Sequence, residues 1–153
     1  MDEFRFNDEI RSAWGWLGLE PARIIAENDF GNLIIEDVNG SFWRLCPEEC
    51  SCTRIASNRD ELHTVLEDPE FSEDWAMARI VEVARNVCGP LSEGRKYSLK
   101  MPVCLGGDYV GENFAIAPLR ELIGFSGSIA FQAKDLADGT KIELKVINHP
   151  DQA

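Results

Sequence analysis

The stretch "NLIIEDVNGSFWRL" (Asn32 to Leu45) decides how this chain folds. Two β-prone runs flank Asn39-Gly40, and that dipeptide is a strong hairpin signal because a two-residue type I′ turn needs positive φ at both central positions. The reading predicts antiparallel strands over 32–38 and 41–46, then a third over 52–56 in "CTRIA". Upstream, "WGWLGLEP" places Trp14, Trp16, Leu17 and Leu19 close enough together to dock on the core these strands require.

Downstream the period changes. "SNRDELHTVLEDP" opens a helix with Ser57 or Asn58 as cap, and Asp60 and Glu61 sit in the first turn, where the helix dipole favours negative charge. Leu62, Val65 and Leu66 form its buried edge, and Pro69 ends it. A second helix is expected from Ser72 to Cys88, stopped by Gly89-Pro90. Its apolar face is Met77, Ile80, Val81, Ala84, Val87 and Cys88, with Arg79, Glu82 and Asn86 opposite. "KYSLKMPV" and "NFAIA" read as strands, and a helix follows from Pro118 to Leu136. The inner face of that helix is Leu119, Leu122, Ile123, Ser126, Ala130 and Ala133. Gly124 and Gly127 each cost roughly 1 kcal/mol relative to alanine, which marks a kink or a close approach. "DGTKIELKVI" supplies a turn and a last strand. Strands and helices in blocks, without strict alternation, indicate an α+β fold. The expected architecture is an antiparallel sheet with an N-terminal hairpin, packed against two to three helices in one domain spanning 1–153.

Acids exceed bases by twelve, 27 against 15. Such a surface repels nucleic acid and anionic lipid and attracts a basic partner. No stretch approaches the length of a membrane span. The opening "MDEFRFNDEIRSAW" is acidic throughout and has no apolar signal core, and five cysteines are an odd number. A cytoplasmic protein with reduced thiols, monomeric or weakly dimeric, is the expectation.

Three motifs invite a chemical reading. In "VCLGGDYVGEN" (Val103 to Asn113) no GK[ST] or GxGxxG pattern accompanies the glycine pair, and Asp108 would repel phosphate. The stretch is expected to be a turn between two strands, with Asp108 or Asn113 bonding local backbone. Cys104 as a nucleophile needs a base, and the chain holds only His63 and His149. A small hydrolase using Cys104 with His63 is therefore one reading to weigh against a binding protein, and a housekeeping scaffold domain is another. "CPEECSC" brings Cys46, Cys50 and Cys52 together without the second pair that a structural zinc site requires, so neither a metal nor a cofactor is expected.

"LEDPEFSEDW" is more informative. Glu67, Asp68, Glu70, Glu73 and Asp74 place five acids within eight residues, next to Trp75. They form either a solvated, dipole-favoured helix entrance or a patch for a cationic partner. Trp75 aligns at 100° per residue with Arg79, Glu82 and Asn86, so it either folds under the preceding helix or is an exposed anchor. These six residues are the candidate partner-binding set, with no catalytic residue among them.

Taken together, "WGWLG", "FGNLIIEDVNGSFWRLCPEE", "DPEFSEDW", "KMPVCLGGDY" and "FSGSIAFQAKDLADGTKIELKV" resemble the C-terminal domain of type VI secretion immunity proteins. The resemblance runs from about residue 14 to 147, and "LGGDY" and "FSG" are its most specific marks. A looser likeness is to the SUKH-type immunity superfamily. The resemblance implies a binding protein without catalytic residues that neutralises a secreted toxin, and the best-described members neutralise DNase effectors of their own cell.

Overall fold

A computed structural model describes residues 4–136. The hairpin is present as β2 (Leu33–Asp37) and β3 (Phe42–Cys46), with Leu33 opposite Leu45 and Ile35 opposite Trp43. Its turn differs from the expected two-residue form. The Asp37 N–H donates to the Ser41 carbonyl at 2.8 Å, and the Gly40 N–H donates to the Asp37 carbonyl at 2.9 Å. Three residues therefore make the loop, and within it only Gly40 has positive φ, at 89°. Side chains explain the choice: Asp37 Oδ1 accepts the Asn39 N–H, and Asn39 Oδ1 accepts the Ser41 N–H.

β4 (Ser51–Ala56) flanks β3, and β1 (Pro21–Glu27) flanks β2, giving the antiparallel order β1-β2-β3-β4. β1 was not expected. Its pairing with β2 is interrupted by register shifts between Pro21 and Arg23 and between Ile24 and Ala26, which erase the period-two pattern a strand normally shows. The eight-residue helix α1 (Asn7–Trp14) was also unforeseen, and it has no side-chain cap to announce it.

Both faces of this sheet are covered. On one side Ile10 and Trp14 of α1 and Leu119 and Ile123 of α5 (Leu119–Ala133) pack on Leu33, Ile35 and Leu45. On the other, Leu62 of α2 (Arg59–Glu67) packs on Ile34, Phe42 and Ala56, with Phe71 and Trp75 of α3 (Pro69–Ala76) at the margin. β2 is thus apolar on both faces, which accounts for the unbroken "LII" run. A third cluster joins Phe30, from the β1–β2 loop, to Val81 and Ala84 of α4 (Ala78–Cys88). It is completed by Tyr97, Leu99 and Phe114 of the separate hairpin β5 (Arg95–Leu99) and β6 (Phe114–Pro118).

The helix expected at 72–88 is two helices, not one. Met77 adopts a left-handed conformation, φ 48°, between α3 and α4. Pro69 opens α3 rather than ending α2 abruptly, since proline's fixed φ suits the first helical turn. Leu66 and Val87, assigned to apolar faces, are exposed. In α5 the buried face is Leu119, Leu122, Ile123, Ser126, Gly127 and Ile129, while Ala130 and Ala133 are half-buried. The expected strand in "DGTKIELKVI" and the His149 tail lie outside the described residues.

Candidate functional site

The break between α3 and α4 has an identifiable cause. Asn28, the first residue of the β1–β2 loop, donates through Nδ2 to the Trp75 carbonyl at 2.9 Å and reaches Met77 Sδ at 3.6 Å. Its Oδ1 accepts the N–H groups of Phe30 and Asn32. One side chain therefore ties the sheet's loop to the end of α3 and captures a carbonyl that a continuous helix would use internally.

Arg44 of β3 holds the other side of α3. Its Nη1 donates to Asp74 Oδ2 at 2.6 Å, and its guanidinium lies 5.3 Å from the Trp75 ring and 5.5 Å from the Phe71 ring. The two rings stack at 6.3 Å and 11°. Trp75 thus folds against the sheet margin beneath α2, and its expected alignment with Arg79, Glu82 and Asn86 fails because the helix breaks at Met77. Arg44 escaped the sequence reading. The signal that was there is a cation in a strand, facing a segment of five acids that needs a counter-charge.

Between α3–α4, the end of β3 and Tyr109 runs a groove of about 470 Å³, lined among others by Arg44, Cys46, Glu49, Glu73, Asp74 and Met77. At its base is a buried polar chain. Arg44 Nη2 donates to Asn32 Oδ1 at 3.0 Å, and Asn32 Nδ2 donates to Glu48 Oε1 at 2.8 Å. The Cys46 thiol lies 2.6 Å from Glu48 Oε1 and 3.0 Å from Glu49 Oε2. Burial pushes the Glu48 carboxyl up, against the hydrogen bonds from Cys46 and Asn32 that lower it. Burial, reinforced by Glu48 and Glu49, also holds the Cys46 thiol protonated, and burial with the same carboxylates raises Tyr109.

Of the six candidate residues, Glu67, Asp68, Glu70, Glu73 and Asp74 are exposed and Trp75 is half-buried. Asp68 caps α3 by accepting the Glu70 N–H at 3.0 Å, and Asp74 pairs with Arg44. Only Glu73 and Asp74 reach the groove. Both dipole-favoured capping and an outward carboxylate face are therefore realised in the same segment.

The glycine pair forms part of a corner, as expected. Gly106 takes φ 97°, and Gly107 lies so close to the Met101 carbonyl that an added Cβ would sit 1.7 Å from its oxygen. Asn113 fastens the loop by donating to the Met101 and Asp108 carbonyls and accepting the Met101 N–H. The hydrolase pair is not assembled. His63 lines a hollow with Arg23 and Phe42, at one end of β3, whereas Cys104 meets Cys50 beyond Cys46 at the other. Four strand residues at about 3.3 Å each separate those ends by roughly 13 Å. Among the described residues, no group of three or more His, Cys, Asp or Glu is placed to hold a metal ion, and no helix is long and apolar enough to cross a membrane.

Residues 56–130 match the family described as T6SS immunity protein Tdi1, C-terminal. This match, over 75 of the 153 residues, supports the type VI secretion immunity family. The match takes in α2 to α4, the Gly106–Gly107 corner, β5, β6 and most of α5, and the hairpin at 32–46 precedes it. No curated protein matches the chain. The matched family implies an immunity protein with a cognate toxin as its partner.

Proposed function

We propose that this immunity protein neutralises a nuclease toxin in the cytoplasm, seating its acidic α2–α3 face against a basic surface of that toxin. Glu67, Asp68, Glu70, Glu73 and Asp74 supply the charge, and Trp75 stiffens the face from below. The observation that carries this reading is the exposure of five carboxylates on two successive helices inside the family-matched region. A nuclease needs positive charge to hold a phosphate backbone, and an acidic inhibitor meets that same charge and hastens encounter. The net charge of −12 supports a basic partner and opposes binding of nucleic acid. Inhibition by contact alone needs no catalysis, metal or cofactor. The separation of Cys104 from His63 supports a chain that works as a binder, and we take that binder to be one domain over 1–153 and a monomer or weak dimer.

The test is association kinetics against the co-encoded toxin, together with protection of plasmid DNA from it. Rim charges mainly set association rate. Glu70→Lys combined with Glu73→Lys should slow association, more at low salt than at high salt. Unaltered rates in that double variant would remove the face from the interface, and a toxin that leaves DNA intact would remove the nuclease.

A further inference from the structure

Two thiols meet at a corner outside the proposed α2–α3 face. Cys50 follows the 3-10 turn Pro47–Glu49 in left-handed backbone, φ 51°. Cys104 sits in the 3-10 turn Val103–Leu105 of the β5–β6 loop. The two turns pack on each other, which brings the Cys50 and Cys104 thiols together. Cys104 is exposed and Cys50 half-buried, whereas Cys46 and Cys52 are buried. Between Leu99 and Phe114 the loop's hydrogen bonds are to its own turns and to Asn113; Val103 and Tyr109 pack on the Phe30 cluster, and Tyr109, five residues beyond Cys104, enters the groove. A bond at Cys104 would fix that loop to the end of the four-stranded sheet.

We propose that Cys50 and Cys104 form a reversible disulfide that clamps the β5–β6 loop to the sheet when a low-molecular-weight disulfide, such as glutathione disulfide, is in excess. The Cys104 thiolate attacks one glutathione sulfur, releasing a glutathione thiol and leaving a mixed disulfide on Cys104. Cys50 then gives its proton to solvent and attacks the Cys104 sulfur, releasing the second glutathione. Two protein thiols and one glutathione disulfide become one protein disulfide and two glutathione thiols. Exposure makes Cys104 the thiol that meets the oxidant. Burial, with the neighbouring Cys104 thiol and the Glu48 charge, holds the Cys50 proton, so the closing step is slow and quickens as pH rises.

Equilibrating the full chain in mixtures of reduced and oxidised glutathione, quenching with acid and mapping peptides by mass spectrometry tests this. The expected product is a peptide pair joined through Cys50 and Cys104, reversed by dithiothreitol. Amide hydrogen exchange across 100–113 should slow about tenfold in the oxidised chain. Cys104→Ser, a change at an exposed position, should lose both the joined pair and the slowed exchange. Glutathione retained on Cys104 alone, a dimer linked through Cys104, or a joined pair with loop exchange unaltered would each overturn the proposal.

Discussion

Arg44 Nη1 lies 2.6 Å from Asp74 Oδ2, yet the two side chains live in different solvents: Arg44 is 15% exposed and Asp74 is 70% exposed. The arginine is sheltered by Trp75 and Phe71 and is also hydrogen-bonded to buried Asn32, so it holds more of the structure than its partner does. Arg44→Ala should cost about 2–3 kcal/mol, because it leaves Asn32 Oδ1 without its donor and strips the rings of their cation. Asp74→Asn should cost under about 1 kcal/mol, since an ion pair with one exposed member is weak. Urea unfolding of the two variants separates them, and equal losses would show that the ion pair itself, not the buried side of Arg44, stabilises the contact.

Trp75 has a stabilising role by the same geometry. Its ring stacks on Phe71, joins the cluster around Ile34 and Phe42, and its carbonyl anchors Asn28. Trp75→Ala should lower stability by on the order of 2 kcal/mol, below the roughly 3–5 kcal/mol of a fully buried tryptophan because the ring is only half-buried. Folded variant should still associate with toxin at the normal rate. Faster dissociation with melting unchanged would identify the ring as a binding anchor instead.

Strong local signals reached the fold, and signals that depend on tertiary partners did not. Asn39-Gly40 announced the hairpin, and Asn58 announced α2, where its side chain accepts the Glu61 N–H. Asn113 fastened the glycine corner as the turn chemistry required. β1 stayed hidden because its bulges scramble the alternation, and the α3–α4 break stayed hidden because Asn28, some fifty residues upstream, imposes it. Five of the six candidate site residues were legible as a charge run, whereas the groove beside them was not. Its floor of Asn32, Glu48 and Cys46 comes from two loops and a strand end whose meeting no local pattern encodes.

The two glycines of α5 should respond in opposite directions. A Cβ at Gly127 would lie 2.5 Å from the Ala13 carbonyl oxygen and 2.7 Å from the Ala13 Cβ, so α1 approaches α5 only because that side chain is missing. Gly127→Ala should push the helices apart and cost about 1–3 kcal/mol. At Gly124 nothing lies within 4 Å of a new Cβ, and the position is exposed. Gly124→Ala should therefore stabilise by up to about 1 kcal/mol through helix propensity alone. Melting temperatures of both variants decide the matter; a Gly127→Ala protein as stable as the parent would mean the helix pair can shift without loss.

Glu48 gives the protein a pH dependence of the less common sign. The carboxyl is 3% exposed, and burial raises its pKa above the ordinary 4.5 despite hydrogen bonds from Cys46 and Asn32. The folded chain therefore holds this proton more tightly than the unfolded chain does. The resulting stability is fully present below about pH 4.5 and is lost as pH rises through the folded-state value. Glu48→Gln stays uncharged throughout, and its amide can still accept from Asn32 and donate towards Cys46. It should match the parent near pH 4 and become progressively the more stable of the two towards about pH 8. Glu48→Ala, by contrast, leaves the Asn32 Nδ2 donor unpaired in a buried site and should lose about 2 kcal/mol in acid. Urea unfolding across that pH range gives the answer. A difference between parent and Glu48→Gln that stays constant with pH would mean that Glu48 keeps its ordinary titration on folding, and that the Arg44–Asn32 arm of the network fully offsets its burial.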